Sequence, residues 1–227
     1  MTAQAATGNA EEQAWATIPD EPFESQGSRR RAQLVKIAAS LIVTGGASAV
    51  THASVAELAG VGRTAVYRYF PTREDILAAV LEAYSELHGE LLTNEEVAAG
   101  ILGLAASSRK RLPEATRTVG ERLWDEHDWN ADALKLRLAM CILVRDYELM
   151  AQLAEVAPRL VQDLDHQFLH PLRELGLTEL ERRVVTDAVV SAHYHASVAV
   201  LKGEIDRDQA ADLAMRMNFA AVHAFLD

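Results

Sequence analysis

Arg63, Thr64, Tyr67 and Arg68 in the stretch Arg63-Thr64-Ala65-Val66-Tyr67-Arg68-Tyr69-Phe70 have the chemistry to hold a polyanion. At helical spacing they fall on one side of a short helix, while Val66 and Phe70, with Val61 just ahead, fall on the other. Arginine can bridge guanine O6 and N7, threonine can meet a phosphate or a thymine methyl, and tyrosine can donate to phosphate. The same residues also suit an ordinary solvated helical face, and in isolation they leave both readings open. Arg29-Arg30-Arg31 could reach an adjacent groove or phosphate, or serve only as a solvated run.

Other chemistries find less support. There is no Gly-rich phosphate loop, no nucleophile elbow and no convincing metal set, so neither catalytic residues, nor a cofactor, nor a metal is expected. His166 and His170 stand four apart without an evident third ligand, and the two-residue spacing of His193 and His195 points them to different helix faces. The single cysteine, Cys141, lies in Leu-Ala-Met-Cys-Ile-Leu-Val and reads as a core thiol in a reducing compartment.

Stepping along the chain places the cationic residues on a helical scaffold. Met1 to about Gly27 has no sustained periodicity and carries Pro19 and Pro22, which predicts a loosely ordered tail over 1–27. From Arg29, apolar residues Leu34, Ile37, Ala38, Leu41 and Ile42 recur at helical steps until Gly45-Gly46. Thr51 offers an N-cap to a short helix, Gly60 breaks it, a second short helix runs from about Arg63 to Tyr69, and Pro71 ends that one. Thr72 can cap the next helix, with Glu74 and Asp75 favouring its N-terminus.

Further helices are predicted near 94–107, 113–126, 131–154, 156–175, 178–202 and 207–226. Nothing alternates as a sheet would, so the fold class is all-α with about nine or ten helices. The head is a three-helix helix-turn-helix unit over 28–75, carried by a larger helical body over 76–227.

Charge agrees with that division. The chain carries −11 overall, which argues against a nucleic-acid partner. Between Ser28 and Asp75, however, seven basic and three acidic residues leave +4, so the rest holds −15. A basic head on an acidic body attracts a polyanion at one end and orients its approach. The N-terminus lacks the pattern of a secretory signal, and no stretch approaches 18 uninterrupted apolar residues, so a cytoplasmic protein without a membrane span is expected.

Ala59-Gly60-Val61, then Val66-Tyr67-Arg68-Tyr69-Phe70, then Thr72-Arg73-Glu74 and Leu77 together resemble the N-terminal signature of the TetR family of transcriptional regulators. The resemblance covers roughly Arg29 to Tyr84. It implies a dimeric, ligand-responsive DNA-binding protein, usually a repressor. Carried over by position, it implies that Tyr67, Tyr69 and Arg73 touch phosphate and that Thr51 caps its helix beside the DNA backbone. Three departures stand out: Gly62 where a serine cap is common, Thr64-Ala65 for a glycine-threonine pair, and His52 at a usually apolar position, which reads as a partly buried structural histidine.

In the body, one stripe of Val185, Ala188, Val189, Ala192 and Ala196 and another including Ala214, Met217, Ala220, Ala221 and Ala224 would let helices pack closely across a dimer axis, or within one chain. Trp124, His127, Met140, Tyr147, Phe168 and His193 are the material of a small-molecule pocket and equally of a core. The expected function is a homodimeric repressor that leaves a palindromic double-stranded DNA operator on binding a small, largely apolar effector. The alternative is a ligand-independent architectural or global DNA-binding protein.

Overall fold

The computed structural model describes residues 26–91, 94–106, 122, 124, 130–168 and 170–226. Among them there are eleven α-helices and no strand. In order these are α1 (Gln26–Gly45), α2 (His52–Leu58), α3 (Arg63–Tyr69), α4 (Arg73–Leu91), α5 (Asn94–Ala106), α6 (Ala131–Leu143), α7 (Tyr147–Val156), α8 (Pro158–Phe168), α9 (His170–Glu174), α10 (Glu179–Leu201) and α11 (Arg207–His223). A 3-10 turn, Ala47–Ala49, follows α1.

Three helical boundaries differ from the sequence reading, each for a local reason. The first helix begins at Gln26, so Arg29-Arg30-Arg31 is part of α1 rather than an arm ahead of it. The tail predicted over 1–27 lies outside the described residues except for Gln26 and Gly27, which are helical. The helix predicted over 131–154 is two helices, because Asp146 turns its side chain back to accept from the Leu149 backbone amide at 3.0 Å and starts α7 afresh. The helix predicted over 156–175 is likewise divided into α8 and α9, whereas the one predicted over 113–126 falls almost wholly outside the described residues.

The main hydrophobic core runs from the head into the body. It joins Leu34, Val35, Ala38 and Ile42 of α1, Val66 and Phe70 at α3, Ile76 to Leu81 of α4, and Met140, Cys141 and Leu143 of α6. Burial of side chains such as Leu34, Ile42, Leu77 and Leu143, each with no exposed surface, contributes roughly 1.5–3 kcal/mol apiece. Helix α3 is therefore anchored to the same packed unit that continues into the body. The Lys36 ammonium lies 2.9 Å from Asp132 on α6 and spans that junction on the surface.

At the far end α10 lies along α11, and both start on capping boxes: Thr178 with Glu181, and Asp206 with Gln209. By length and composition alone α10 is apolar enough to cross a membrane, and in the fold its Val185, Val190 and Ala196 are turned inward.

Candidate nucleic-acid interface

The turn between α2 and α3 is set by hydrogen bonds that the sequence can supply in only a few ways. Thr51 Oγ1 accepts from the Ser54 amide at 3.0 Å while Ser54 Oγ accepts from the Thr51 amide at 3.0 Å, closing a reciprocal cap at the start of α2. At the other end Gly60 sits at φ 64°, where a side chain would be strained, and the Val61 amide reaches back to Ala56 O at 3.0 Å. Gly62 then starts α3 without a side-chain cap, its carbonyl accepting from Ala65 N at 2.9 Å.

This geometry separates the two faces of α3. Val66 has no exposed surface and Phe70 only 2%, and Val61 packs against the same core. Arg63, Thr64, Tyr67 and Arg68 are all exposed together on the opposite side. Tyr69 is half-buried, with the Arg68 guanidinium over its ring at 5.1 Å and donating to its hydroxyl at 3.2 Å.

His52 explains how the outer face is held. Its ring stacks on Tyr67 with centroids 3.8 Å apart and planes 10° from parallel, and its Nε2 lies 2.8 Å from Phe70 O. A carbonyl can only accept, so Nε2 carries the proton and clamps the end of α3 while the ring braces Tyr67. The histidine is structural, as its position on α2 led one to expect.

Two of the cations expected at phosphate have partners within the chain. Arg73 donates from Nε to Val50 O at 3.1 Å and from Nη2 to Ala47 O at 2.7 Å, with Nη1 3.4 Å from Glu74. Its guanidinium thereby ties the 3-10 turn to the start of α4, and most of its donors face protein rather than solvent. Arg31, though exposed, pairs with Glu82 on α4 at 3.0 Å and lies over the Phe70 ring at 5.4 Å. Arg29 and Arg30 are exposed on the first turns of α1, where the Arg30 guanidinium donates to Gln33 at 2.7 Å.

The body residues expected to form a pocket are dispersed. Met140 is core, at 4% exposure. Tyr147 lies on the outer surface beside an open cleft of about 600 Å³ that includes Arg145, Asp187 and Tyr194, with the Arg183 guanidinium over its ring at 5.2 Å. His127 and the side chain of Phe168 fall outside the described residues. Trp124 and His193 do meet, with rings 5.9 Å apart, at the junction of α4, α6, α10 and α11.

Arg137 from α6 lies over Trp124 at 4.7 Å, and its Nη2 is 2.9 Å from His193 Nδ1. His88 and Tyr84 of α4 and Asn218 of α11 complete this polar cluster. Burial, with the nearby guanidinium second, pushes His88 down to about 4 and His193 down to about 3, and burial lifts the Cys141 thiol to about 11. Both imidazoles are neutral and the thiol is protonated at neutral pH. Sequence reasoning missed Arg137, His88 and Asn218. The available signal was a charge at Arg137 on the stripe that runs from Leu134 to Cys141, three and four residues to either side.

The alanine stripes are also placed differently. Val185 and Ala196 are buried within the chain, Val185 beside Leu172, Leu177 and Val222, and Ala196 beside Trp124, Ala210 and Ala214. Val189 and Ala221 pack against the first of these clusters. Large apolar side chains that α10 and α11 leave exposed include Leu180, Val184, Leu201, Leu213 and Met217, and Ala220 and Ala224 are exposed too; Ala188 and Ala192 are half-buried.

Residues 34–80 match the model of a family described as bacterial regulatory proteins, tetR family. Over 101 residues the chain is 28% identical to the HTH-type transcriptional regulator LuxR of Vibrio harveyi, a match that covers 44% of this chain and 46% of LuxR. The chain thus spans under half the length of that relative. A transcription regulator from Lactobacillus plantarum superposes with a TM-score of 0.50 at 16% identity, over 84% of this chain and 97% of that one. A TetR-family regulator from Mesorhizobium loti does so with a TM-score of 0.42 at 18% identity, over 89% and 97%. At these identities the structural likeness speaks for the fold alone.

Proposed function

We propose that the chain is a TetR-family transcriptional regulator, as the match of its residues 34–80 to that family supports, and that it acts as a cytoplasmic homodimer whose two α3 helices read a roughly palindromic operator. In this reading it represses by occupying that operator and leaves it when a small molecule enters the body. The observation that carries the reading is the division of α3, with Arg63, Thr64, Tyr67 and Arg68 exposed on one side and Val66 and Phe70 locked into the core on the other. One such helix meets only a few base pairs, so useful discrimination requires two heads about one DNA turn apart. In this reading a second copy seats against the exposed Leu213 and Met217 of α11.

Selection of bound duplexes from random DNA, followed by gel shifts at moderate salt, tests the reading. An inverted-repeat consensus bound far more tightly than random duplex is the expected result. Equal binding to every duplex would favour an architectural DNA binder and overturn the proposal. Arg63→Ala or Arg68→Ala should change which bases are preferred, whereas Tyr67→Ala should weaken all sequences alike.

A further inference from the structure

Residues 1–25 hold five carboxylates, Glu11, Glu12, Asp20, Glu21 and Glu24, and no lysine or arginine. They lead directly into the one region whose balance is positive, the +4 of residues 28–75. A tethered segment of opposite sign acts at a high effective concentration, so an attraction too weak to hold a separate peptide can still occupy that surface.

The cations it would meet are those without an acidic partner of their own. Arg31, Lys36 and Arg73 are matched inside the fold by Glu82, Asp132 and Glu74. Among the described residues no carboxylate pairs with Arg30, Arg63 or Arg68; Arg30 meets Gln33, and Arg68 meets the Tyr69 hydroxyl. All three are exposed. The tether reaches them. Arg31 lies 5.4 Å from the ring of Phe70, the residue that caps the C-terminal end of α3, so the first turns of α1 pass that end. Gln26, where α1 begins, is about 7.5 Å of helix from Arg31, and α3 is about 10 Å long. Asp20, Glu21 and Glu24 precede Gln26 by six, five and two residues, and six extended residues span about 20 Å.

Resting on the reading of α3 as the DNA-facing helix, we propose that residues 1–25 are an internal competitor. In the DNA-free protein their carboxylates occupy the cationic outer side of α3 and the first turns of α1, and duplex DNA must displace them. The penalty is the same for every duplex. It therefore removes weak, purely electrostatic binding first, whereas an operator held by added base contacts survives it.

Two measurements on the full chain test this. One variant carries Glu11→Gln, Glu12→Gln, Asp20→Asn, Glu21→Gln and Glu24→Gln. A control carries Glu148→Gln, Glu155→Gln, Asp163→Asn, Asp208→Asn and Asp212→Asn, all exposed carboxylates of the body, so both lose the same charge. At about 50 mM salt the first should bind random duplex about tenfold or more tightly than the unaltered protein and the control less than about threefold, with the gap closing toward about 0.5 M. The second measurement needs no DNA. With Cys141 buried, a nitroxide on Thr17→Cys should broaden the amide signals of Arg63, Thr64 and Arg68 at low salt, and added duplex or salt should remove the broadening.

Broadening that is absent or falls on the body, or a control that gains as much as the first variant, would overturn the proposal. Broadening seen only when nitroxide and 15N label are on different chains would assign the contact to a second copy and overturn it as an internal one. Broadening on α3 in a protein that binds no duplex would leave the docking standing and remove the DNA-reading role of α3, whereas duplex binding without it would do the reverse.

Discussion

At Arg73 one guanidinium donates to two backbone carbonyls, Val50 O and Ala47 O, the second of which also accepts from the Val50 amide in the 3-10 turn. Replacement with alanine leaves both without that partner at a half-buried site, at a cost of about 1–3 kcal/mol. Arg73→Ala should therefore lower the melting temperature by several degrees, and Arg73→Lys should recover only part of it because one ammonium cannot match the planar fork. An unchanged melting curve with weakened DNA binding would instead assign Arg73 to phosphate. Position and charge made Arg73 readable as a cation near the interface, but the carbonyls it meets lie 23 and 26 residues earlier, a relation only folding creates. His88 carries a second residue-scale consequence. Its folded pKa of about 4 lies below the ordinary 6.5, so the unfolded chain takes up the proton first as pH falls. The contribution is fully present above about pH 6.5 and is lost toward pH 4, at about 1.4 kcal/mol per unit for one imidazole. Urea midpoints measured between pH 7 and 5 should fall in the native protein and fall less steeply in His88→Gln; identical slopes would show that the group is not buried neutral.

Helix ends in the head were legible because each has a strong local chemical signal: Gly45-Gly46, the Thr51 cap, Gly60, Pro71 and the Thr72-Asp75 pair all act where their residue types imply. Gly60 also permits a clean measurement. A Cβ there would meet nothing within 4 Å, so the cost of Gly60→Ala is the backbone's alone, about 1–2 kcal/mol for an L-residue at φ 64°. Thermal melts should show that loss in Gly60→Ala and a smaller one in Gly60→Asn, whose side chain tolerates the left-handed region. Equal losses would mean that contacts rather than torsion set the requirement. In the body the break between α6 and α7 was overlooked, since Leu143, Val144, Leu149 and Leu153 continue an apolar pattern straight through it. Asp146 stands inside that run as a cap with its acceptor aimed at Leu149 N, and a single polar residue in an apolar period is outvoted by periodicity alone.

Across the whole molecule, the core that continues from α3 through α1 and α4 into α6 means that a shift at Arg137 moves a helix packed directly on the head. How two copies would pair, if the proposed dimer forms, depends on a register that the sequence left open. Val184 and Val185 are neighbours in an apolar helix, and Val185 is enclosed beside Leu172 and Val222 while Val184 remains 46% exposed. Alanine-rich periodicity identifies two packing faces on α10 but not which one its own chain consumes, because α11 competes for the same stripe. Val184, one position over, and Leu213 and Met217 of α11 are among the apolar side chains left exposed. Substituting Leu213→Glu together with Met217→Glu places like charges opposite each other across a two-fold axis, where each copy meets its own counterpart. Sedimentation should then show a monomer with unchanged helical content. Loss of the second tethered head should weaken operator binding by about a hundredfold or more while leaving each α3 surface intact. A double variant that still sediments as a dimer would place the contact on another face, and one that is monomeric yet binds the operator undiminished would remove the need for paired heads.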